Sequence, residues 1–294
     1  MATDALVVKD MIRDGMDGFT PAERRLADTL LQDYPVAGLQ SITRLARAAE
    51  VSTPTVIRMA RKLGFDGFPA LQERLRQEVA EQIKQPLSKR DIWQARAADE
   101  HVLNQFAKAI SANLRHTLDR LDAAMFDRVA ALLADTARPV YLAGGRITRS
   151  NADYFFNHLQ IIRPGVTLLS QSPNVWPQYL LDMDERSLLV IFDIRRYETD
   201  LLKLARLAHE RGVTIILFTD QWGSPIGKLT GLGFNALVEA PSNWDSTISI
   251  MIVVEALIAQ VQSTRWEDSR GRIDELESMF SETRLFRSPD RAPR

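Results

Sequence analysis

The sequence predicts two domains of different fold class: an all-α N-terminal domain, and an α/β C-terminal domain in which helices flank a parallel sheet. Two observations predict this division. Residues 20–84 carry apolar side chains at helical spacing. From residue 139 onward, short apolar segments rich in β-branched residues alternate with helical segments, which is typical of a parallel sheet covered on both faces.

Length and composition agree with this organisation and exclude several kinds of site. A chain of 294 residues with 45% apolar content can bury two cores. It has no cysteine, which excludes disulfides, thiolate metal ligands and cysteine nucleophiles. The four histidines form no metal-spaced pair, so we expect no metal and no other cofactor. They are His101, His116, His158 and His209.

No segment is predicted to direct the chain to a membrane. The N-terminus lacks the basic region and long apolar run of a secretory signal. Residues 248–261 are apolar but too short for a span, and they include Glu255 and Gln260. We therefore expect a soluble, cytoplasmic protein without a membrane partner.

The first clear helix begins at a capping box. Thr20 is the predicted N-cap, Pro21 suits the first helical position, and Glu23 stands where its carboxylate reaches back to the cap. Leucines at helical spacing continue the pattern to about residue 34. This helix is expected to pack behind the helical pair that follows.

Residues 41–68 predict two short helices joined by a tight turn. Ser52 is the predicted N-cap of the second helix, with its hydroxyl accepting from an amide of the first turn, and Gly64 suits the left-handed residue beyond the helix end. Each helix has one apolar face. The predicted inward residues are Ile42, Leu45, Ala46 and Ala49, and then Val56, Met59, Ala60 and Leu63.

The outward face of the second helix is polar and basic, as DNA recognition requires. A helix in the major groove reaches base edges and phosphates with short polar and long basic side chains. Residues 41–76 include seven basic and three acidic residues, although the whole chain has a net charge of −1. The alternative is an ordinary solvated face. The predicted DNA contacts are Arg44, Ser52, Thr53, Thr55, Arg58, Arg61 and Lys62.

The C-terminal domain is predicted to open with two helices, at residues 100–121 and 122–134. Strands follow at residues 139–144, 166–170, 187–193, 213–219 and 236–240, with helices at 150–162, 175–183, 198–211 and 245–262. Ligands of parallel sheets bind at the carboxyl ends of the strands. The loops expected to form a site are therefore 144–150, 170–174, 193–198 and 219–226.

Arginines are concentrated in two of these loops, and they suggest an anionic ligand. Guanidinium groups bind carboxylate or phosphate in a bidentate manner, and Asp193 offers an acceptor for an amine or a hydroxyl. The alternative is an ion network that fills the pocket, or supports a dimer interface, without any ligand. The arginines are Arg146, Arg149, Arg195 and Arg196. Four aromatic side chains either line this pocket or belong to the core: Tyr154, Trp176, Tyr197 and Trp244.

Together these features resemble the RpiR/MurR-type transcriptional regulators, in which a helix-turn-helix precedes a sugar isomerase (SIS) domain with a flavodoxin-like three-layer fold. The resemblance covers nearly the whole chain. It is most specific at residues 45–68, where L-A-x-x-A-x-V-S-x-x-T-V-x-R-x-x-R-x-L-G-F-x-G-F is nearly the family signature. It implies a regulator that binds double-stranded DNA and a carbohydrate derivative.

The resemblance also shows where the second domain departs from the family pattern. In SIS domains, a loop with glycine and serine and a second loop of S-x-S-G-x-T form cradle a phosphosugar. Most of the hydroxyls of that cradle are replaced here, so an anionic metabolite other than a standard phosphosugar fits better. The predicted effector contacts are Gly144, Gly145, Arg146, Thr148, Arg149, Ser172, Asp193, Arg195, Arg196, Tyr197 and Glu198.

We expect a metabolite-responsive regulator whose second domain forms a dimer or tetramer and places two DNA-binding domains on a pseudo-palindromic operator. One alternative is a sugar-phosphate isomerase with Glu198, Glu239 or His158 as base, which the missing cradle argues against. Another is a second domain that only oligomerises. The predicted domains are residues 1–84, a linker 85–100, an effector and oligomerisation domain 101–264, and a helical tail 265–294.

Overall fold

The structure, a computed structural model, describes residues 7–83 and 100–286. The chain divides between residues 96 and 97 into two compact units. The predicted linker lies outside the described residues except for its last residue, and the predicted tail is described as far as residue 286.

The N-terminal unit consists of helices joined by short turns within residues 7–83, so the all-α prediction is confirmed. Its apolar faces share one core, in which Leu26, Leu45, Met59 and Leu75 are almost completely buried. A 3-10 turn at Met16–Gly18 separates the first two helices. The helices are α1 (Val8–Asp14), α2 (Pro21–Gln32), α3 (Val36–Leu39), α4 (Ile42–Ala48), α5 (Thr53–Lys62) and α6 (Phe68–Ile83).

Helix α1 is not predicted from the sequence, and it is held by a buried carboxylate from the other end of the domain. Glu78 accepts a hydrogen bond from the amide of Val8 at 2.8 Å and another from the hydroxyl of Tyr34. Burial raises the pKa of Glu78, while these hydrogen bonds and the nearby Arg74 oppose the rise. The first and last helices of the unit are therefore joined by a polar contact inside the core.

The C-terminal unit alternates strands and helices. Two helices, α7 (Val102–Asp119) and α8 (Ala123–Ala134), come first. The strands are β1 (Val140–Gly144), β2 (Val166–Leu168), β3 (Leu188–Phe192), β4 (Thr214–Asp220) and β5 (Gly233–Ala236). The later helices are α9 (Arg149–Ile162), α10 (Trp176–Leu181), α11 (Thr199–Glu210), α12 (Ile248–Thr264) and α13 (Trp266–Thr283), with 3-10 turns at Pro173–Val175 and Pro225–Leu229.

The five strands form one parallel sheet in the order β2-β1-β3-β4-β5, which confirms the predicted fold class. The chain order reverses between β1 and β3, where the connections leave the sheet on opposite faces. Gly144 at the end of β1 pairs with Phe192 at the end of β3. The crevice beyond these two ends is therefore where an open α/β sheet binds ligands. We call it the switch-point crevice.

The position of the last strand is predicted wrongly. Residues 236–240 were expected, whereas β5 spans Gly233–Ala236. The ladder ends there because the next two amides are taken by side chains: Leu237 donates to Thr117 Oγ1 at 3.1 Å, and Val238 to Gln221 Oε1 at 3.2 Å. Apolar, β-branched composition alone does not distinguish a paired strand from an extended segment whose amides bind side chains.

No single described helix is both long and apolar enough to cross a membrane, and α12 and α13 reach that length and apolarity only when they are taken together. They are bent by 101° at their break. Within the described ranges, no group of three or more His, Asp or Glu side chains is arranged to hold a metal ion.

Candidate functional site

The turn between α4 and α5 is closed by a left-handed residue. Glu50 has φ +52°, and the amide of Val51 donates to the carbonyl of Ala46 at 2.9 Å while that of Glu50 donates to Arg47. This is the hydrogen-bond pattern of a Schellman ending, in which glycine is usual at the left-handed position. The turn fixes the angle at which α5 leaves α4.

The two faces of α5 are divided much as predicted. Val56, Met59, Ala60 and Leu63 are buried in the domain core. Arg58 and Arg61 are exposed on the opposite side, as is Arg44 on α4, and Thr53 is half-buried. Gly64 has φ +90° beyond the helix end, which confirms its predicted role. The exposed arginines leave a basic surface beside a firmly seated helix.

The predicted roles of Ser52 and Thr55 need correction. Thr55 was expected to face outward, but it is only 4% exposed because it lies one helical turn before the buried Met59. Ser52 makes no side-chain bond to the helix amides; its Oγ lies 2.9 Å from Thr55 Oγ1. Thr55 Oγ1 also accepts from Arg58 Nη2 at 3.1 Å. Thr55 therefore orients an exposed arginine from inside the domain.

Lys62, another predicted DNA contact, is engaged within its own domain. Its Nζ donates to the carbonyl of Gly18 at 2.7 Å and to Glu23 Oε2 at 2.9 Å. Glu23 is the acidic member of the predicted capping box, which the structure confirms with Thr20. Burial alone would raise the pKa of Glu23, but the hydrogen bonds from Lys62 and Thr20 lower it overall. Lys62 thus ties the end of α5 to the start of α2.

In the C-terminal unit, the loop after β1 folds tightly against the sheet. Thr148 is buried, and its Oγ1 accepts from the amide of Gly145 at 2.8 Å and donates to the carbonyl of Phe192 at 2.7 Å. A Cβ on Gly144 would lie 2.6 Å from the carbonyl oxygen of Thr148, so only glycine fits there. Thr148, predicted as an effector contact, instead closes this loop.

The loop after β3 is anchored by two buried aspartates. Asp193 accepts from Ser224 Oγ at 2.5 Å and from the amide of Glu198 at 3.2 Å. Burial raises the pKa of Asp193 to about 6, with hydrogen bonds opposing the rise. Asp220 accepts from the amide of Arg195 at 2.6 Å and from the hydroxyl of Tyr197 at 2.8 Å. These contacts fasten the loop to the neighbouring strand end.

Arg195, which was predicted to bind an anionic ligand, is engaged by side chains of the protein itself. Its side chain is 4% exposed, with Nη2 3.2 Å from Glu239 Oε1 and Nε 3.1 Å from Asp245 Oδ2. Its guanidinium also lies 4.1 Å from the ring centroid of Trp222. The charge of Arg195 is therefore already paired, which is the ion network that the sequence left open as an alternative.

Some of the other predicted effector residues are exposed, and the others are buried or already bonded within the protein. Arg149 is half-buried and donates to the carbonyl of Leu169, and burial lowers its pKa. Tyr197 is half-buried on Asp220, whose charge adds to the effect of burial in raising the pKa of the phenol. Gly145 is buried. The exposed members are Arg146, Ser172, Arg196 and Glu198.

Arg196 and Glu198 shape the open side of the switch-point crevice. Arg196 has φ +64°, a left-handed conformation that favours glycine. Glu198 reaches across to the loop after β1, where its Oε1 accepts from the amide of Arg146 at 2.5 Å. The predicted loops after β1 and β3 are thus brought together, although their arginines do not converge on one point.

The remaining aromatic and basic candidates lie elsewhere. Trp176 is a core residue that donates to the carbonyl of Ser170, whereas Trp244 is 54% exposed. Tyr154 donates to Glu255 at 3.1 Å. His158 packs against Tyr154 with the two rings tilted by 34°. It lies nine residues into α9 and so about 14 Å along the helix from its crevice end.

Three partners of the β3 loop are not predicted from the sequence: Asp220, Trp222 and Asp245. A signal for Asp220 does exist. Both SLLVIFD and VTIILFTD are apolar runs that end in aspartate, and in a parallel sheet such ends meet at one edge. Asp245 and Trp222 lie in loops whose paths cannot be read from a local pattern.

Two family models match this chain. A model described as a helix-turn-helix domain of the rpiR family matches residues 7–82, and a SIS domain model matches residues 133–260. Among curated proteins, the HTH-type transcriptional regulator HexR of Pseudomonas aeruginosa is 26% identical over 94% of this chain and 96% of its own length. HexR of Escherichia coli is 23% identical over 96% and 99%.

Solved structures show the same fold. The sugar isomerase domain of an RpiR transcription factor from Sphaerobacter thermophilus has a TM-score of 0.57 and 18% identity, over 61% of this chain and 99% of that one. The NanR protein of Vibrio vulnificus, solved in complex with ManNAc-6P, has a TM-score of 0.55 and 17% identity, over 95% of this chain and 99% of that one.

Proposed function

This chain is a DNA-binding transcriptional regulator of the rpiR family with a SIS domain, and on that premise we propose that it senses a small anionic metabolite and reads a pseudo-palindromic operator as a homo-oligomer. The exposed basic face of α5, set opposite a buried apolar face, is the observation that carries the proposal. We place the regulator in the cytoplasm, where a bacterial operator would be available.

The proposed DNA contacts start from Arg58 and Arg61. Both are exposed on the solvent side of α5, and Arg44 adds a third guanidinium from α4. A recognition helix reads bases with the side chains of its N-terminal part and binds phosphates with its flanks. We assign base reading to Arg58, because its hydrogen bond to Thr55 pre-orients it. Arg44 and Arg61 serve the phosphates, and Lys62 serves the domain itself.

The proposed effector site is the switch-point crevice. Its open side carries the exposed Arg146 and Arg196, whereas Arg195 is held in its ion network. The NanR structure contains a sugar phosphate, which supports an anionic effector of that general class for this chain. The effector acts only if it binds one arrangement of the oligomer more tightly than the other. Whether DNA binding is strengthened or weakened depends on which arrangement that is.

Catalysis is not part of the proposal. An isomerase needs a base beside the sugar carbon. Of the three candidates, Glu239 is paired with Arg195, Glu198 binds the amide of Arg146, and His158 lies well along α9. The two HexR relatives are also named as transcriptional regulators.

The test is selection of binding sites from random duplex DNA with the full chain. We expect an enriched pseudo-palindrome whose half-sites are about one helical turn apart, or a multiple of it. The mass of the protein in solution would be determined alongside. Selection of a single half-site by a monomeric protein, or no enrichment, would contradict the proposal.

The effector part is tested separately by a thermal-shift screen. Phosphosugars, carboxylates, amino acids and nucleotides would be added to the full chain, and each hit titrated into the protein–operator complex. A hit that changes operator affinity supports sensing. If no compound shifts the melting temperature, the alternative of a second domain that only oligomerises is favoured.

A further inference from the structure

Glu198 places a negative charge directly on the loop after β1. Its Oε1 accepts from the amide of Arg146 at 2.5 Å, and a Cβ on Gly145 would lie only 2.6 Å from the same oxygen. The carboxylate therefore lies flat against the main chain of residues 145 and 146. Any side chain at position 145 would displace it.

The position of this carboxylate matters because of the sheet order. The loop after β1 and the start of α11 form the two walls of the switch-point crevice, where α/β sheets bind their ligands. Main-chain amides in such loops bind the phosphate or carboxylate of a ligand through charge-assisted hydrogen bonds. A carboxylate supplied by the protein offers the same amide the same charge.

The carboxylate of Glu198 is accessible to a competing anion from solvent. The residue is exposed, and its side chain makes no capping bond at the start of α11. The structural contact of this residue is made by its main chain, whose amide donates to Asp193 at 3.2 Å. When the side chain leaves the Arg146 amide, this main-chain bond still holds the start of α11 in place.

We propose that Glu198 is a built-in competitor for anions: its carboxylate occupies the place of an effector's anionic group and thereby sets the affinity of the crevice for phosphate- or carboxylate-bearing compounds. The inference rests on the proposed function, because it concerns the same crevice. An anionic effector must expel Glu198 to reach the Arg146 amide, and with Glu198 in place the crevice rejects weakly bound anions.

Calorimetric titration of the full chain with glucose 6-phosphate and with inorganic phosphate tests this. Glu198→Ala removes the competitor, and Glu198→Gln keeps its shape without its charge. Glu210→Ala is the matched control, since Glu210 is an exposed carboxylate at the other end of α11, about 18 Å away.

We expect Glu198→Ala to bind at least one of the two probes about tenfold more tightly than the wild type, the range of one charge-assisted hydrogen bond. The anion affinity of Glu198→Gln should lie between those of the wild type and Glu198→Ala, and the affinity of Glu210→Ala should equal that of the wild type. Equal affinities for the wild type and Glu198→Ala, weaker binding by Glu198→Ala, or no binding by any of the proteins would each overturn the proposal.

Operator binding by the same four proteins separates this proposal from the proposed function. If all four bind operator DNA and Glu198→Ala shows no gain in anion binding, only the role of Glu198 is lost. If Glu198→Ala gains anion affinity while none of the proteins selects a DNA sequence, the role of Glu198 as a competitor is supported and the proposal of a DNA-binding regulator is contradicted.

Discussion

The α5 surface and the switch-point crevice both present arginines, but they use them differently. On α5, Arg58 and Arg61 are exposed, and the core lies on the far side of the helix. In the crevice, Arg195 is enclosed between two carboxylates and an indole ring. A helix separates its polar and apolar faces by its own period, whereas a loop residue faces whatever its neighbours provide. An arginine on a helix is therefore easier to assign from sequence than one in a loop.

The largest expected effect comes from replacing Arg195, and the matched variant replaces its exposed neighbour Arg196. Arg195→Ala leaves Glu239 and Asp245 without their cation, so we expect the free energy of unfolding of the C-terminal unit to fall by about 3 kcal/mol. Arg196→Ala removes an exposed side chain and should change it by less than about 0.5 kcal/mol. Urea unfolding measures both. Equal effects would mean that Arg195 is not a structural residue.

The helix side of the comparison predicts loss of DNA affinity without loss of stability. Arg58→Ala should weaken operator binding by about 1–3 kcal/mol, that is about 5- to 150-fold, because it removes the side chain proposed to read a base. Arg61→Ala should weaken binding to all sequences alike and lower its salt dependence. Arg270→Ala, an exposed arginine on α13, is the control. Quantitative gel-shift titrations at two salt concentrations would detect these differences.

The two regions should also differ in how their stability depends on pH, because the loop after β3 contains the buried acid Asp193 and α5 contains no buried acid. The pKa of Asp193 is about 6 in the folded protein and close to 3.9 in an unfolded chain. Between these pH values, Asp193 is protonated in the folded state and ionised in the unfolded state. Protonation of Asp193 therefore stabilises the fold fully below about pH 4, and this stabilisation is lost as the pH rises through about 6. When the pH is lowered from 7 to 4.5, the free energy of unfolding of the wild type should rise by about 1–2 kcal/mol relative to that of Asp193→Asn. Parallel unfolding curves would show no such gain if Asp193 titrated normally.

The smallest predicted effects concern a left-handed residue in each unit, Glu50 in the N-terminal unit and Arg196 in the C-terminal unit. Glu50 and Arg196 have φ +52° and +64°, where a side chain costs about 1–2 kcal/mol and glycine costs less. Because glycine also adds entropy to the unfolded chain, we expect Glu50→Gly and Arg196→Gly each to stabilise its own unit by only about 0.5–1 kcal/mol. Thermal melts of each variant check this. A loss of stability would mean that the original side chain makes compensating contacts.

The fold is predictable from the sequence to the extent that periodicity determines it. The helices α2, α4 and α5, their inward faces and the parallel sheet all follow from apolar spacing and capping residues. Helix α1 does not, because its position depends on Glu78, seventy residues further along the chain. The end of β5 likewise depends on side chains from α7 and from the loop after β4.

The candidate site is predictable in place but not in detail. The loops after β1 and β3 do meet, as sheet topology requires. The partners of Asp193 and Arg195 come from two other loops, those after β4 and β5, and no local pattern encodes those encounters. Thr55 shows the same limit on a helix: it stands at the border of the two faces, so its burial is decided by neighbouring residues.

The lengths of the strands restrict how two copies of this chain can associate. The two outermost strands are also the two shortest, with three residues in β2 and four in β5, against five to seven in the strands between them. A border strand this short offers few unpaired main-chain groups to a neighbour, so the sheet is a poor template for extension across a subunit boundary. A homo-oligomer of this protein would therefore be held together through side chains of its helices and loops, and its geometry would be free to shift by small sliding movements that a continuous sheet would forbid.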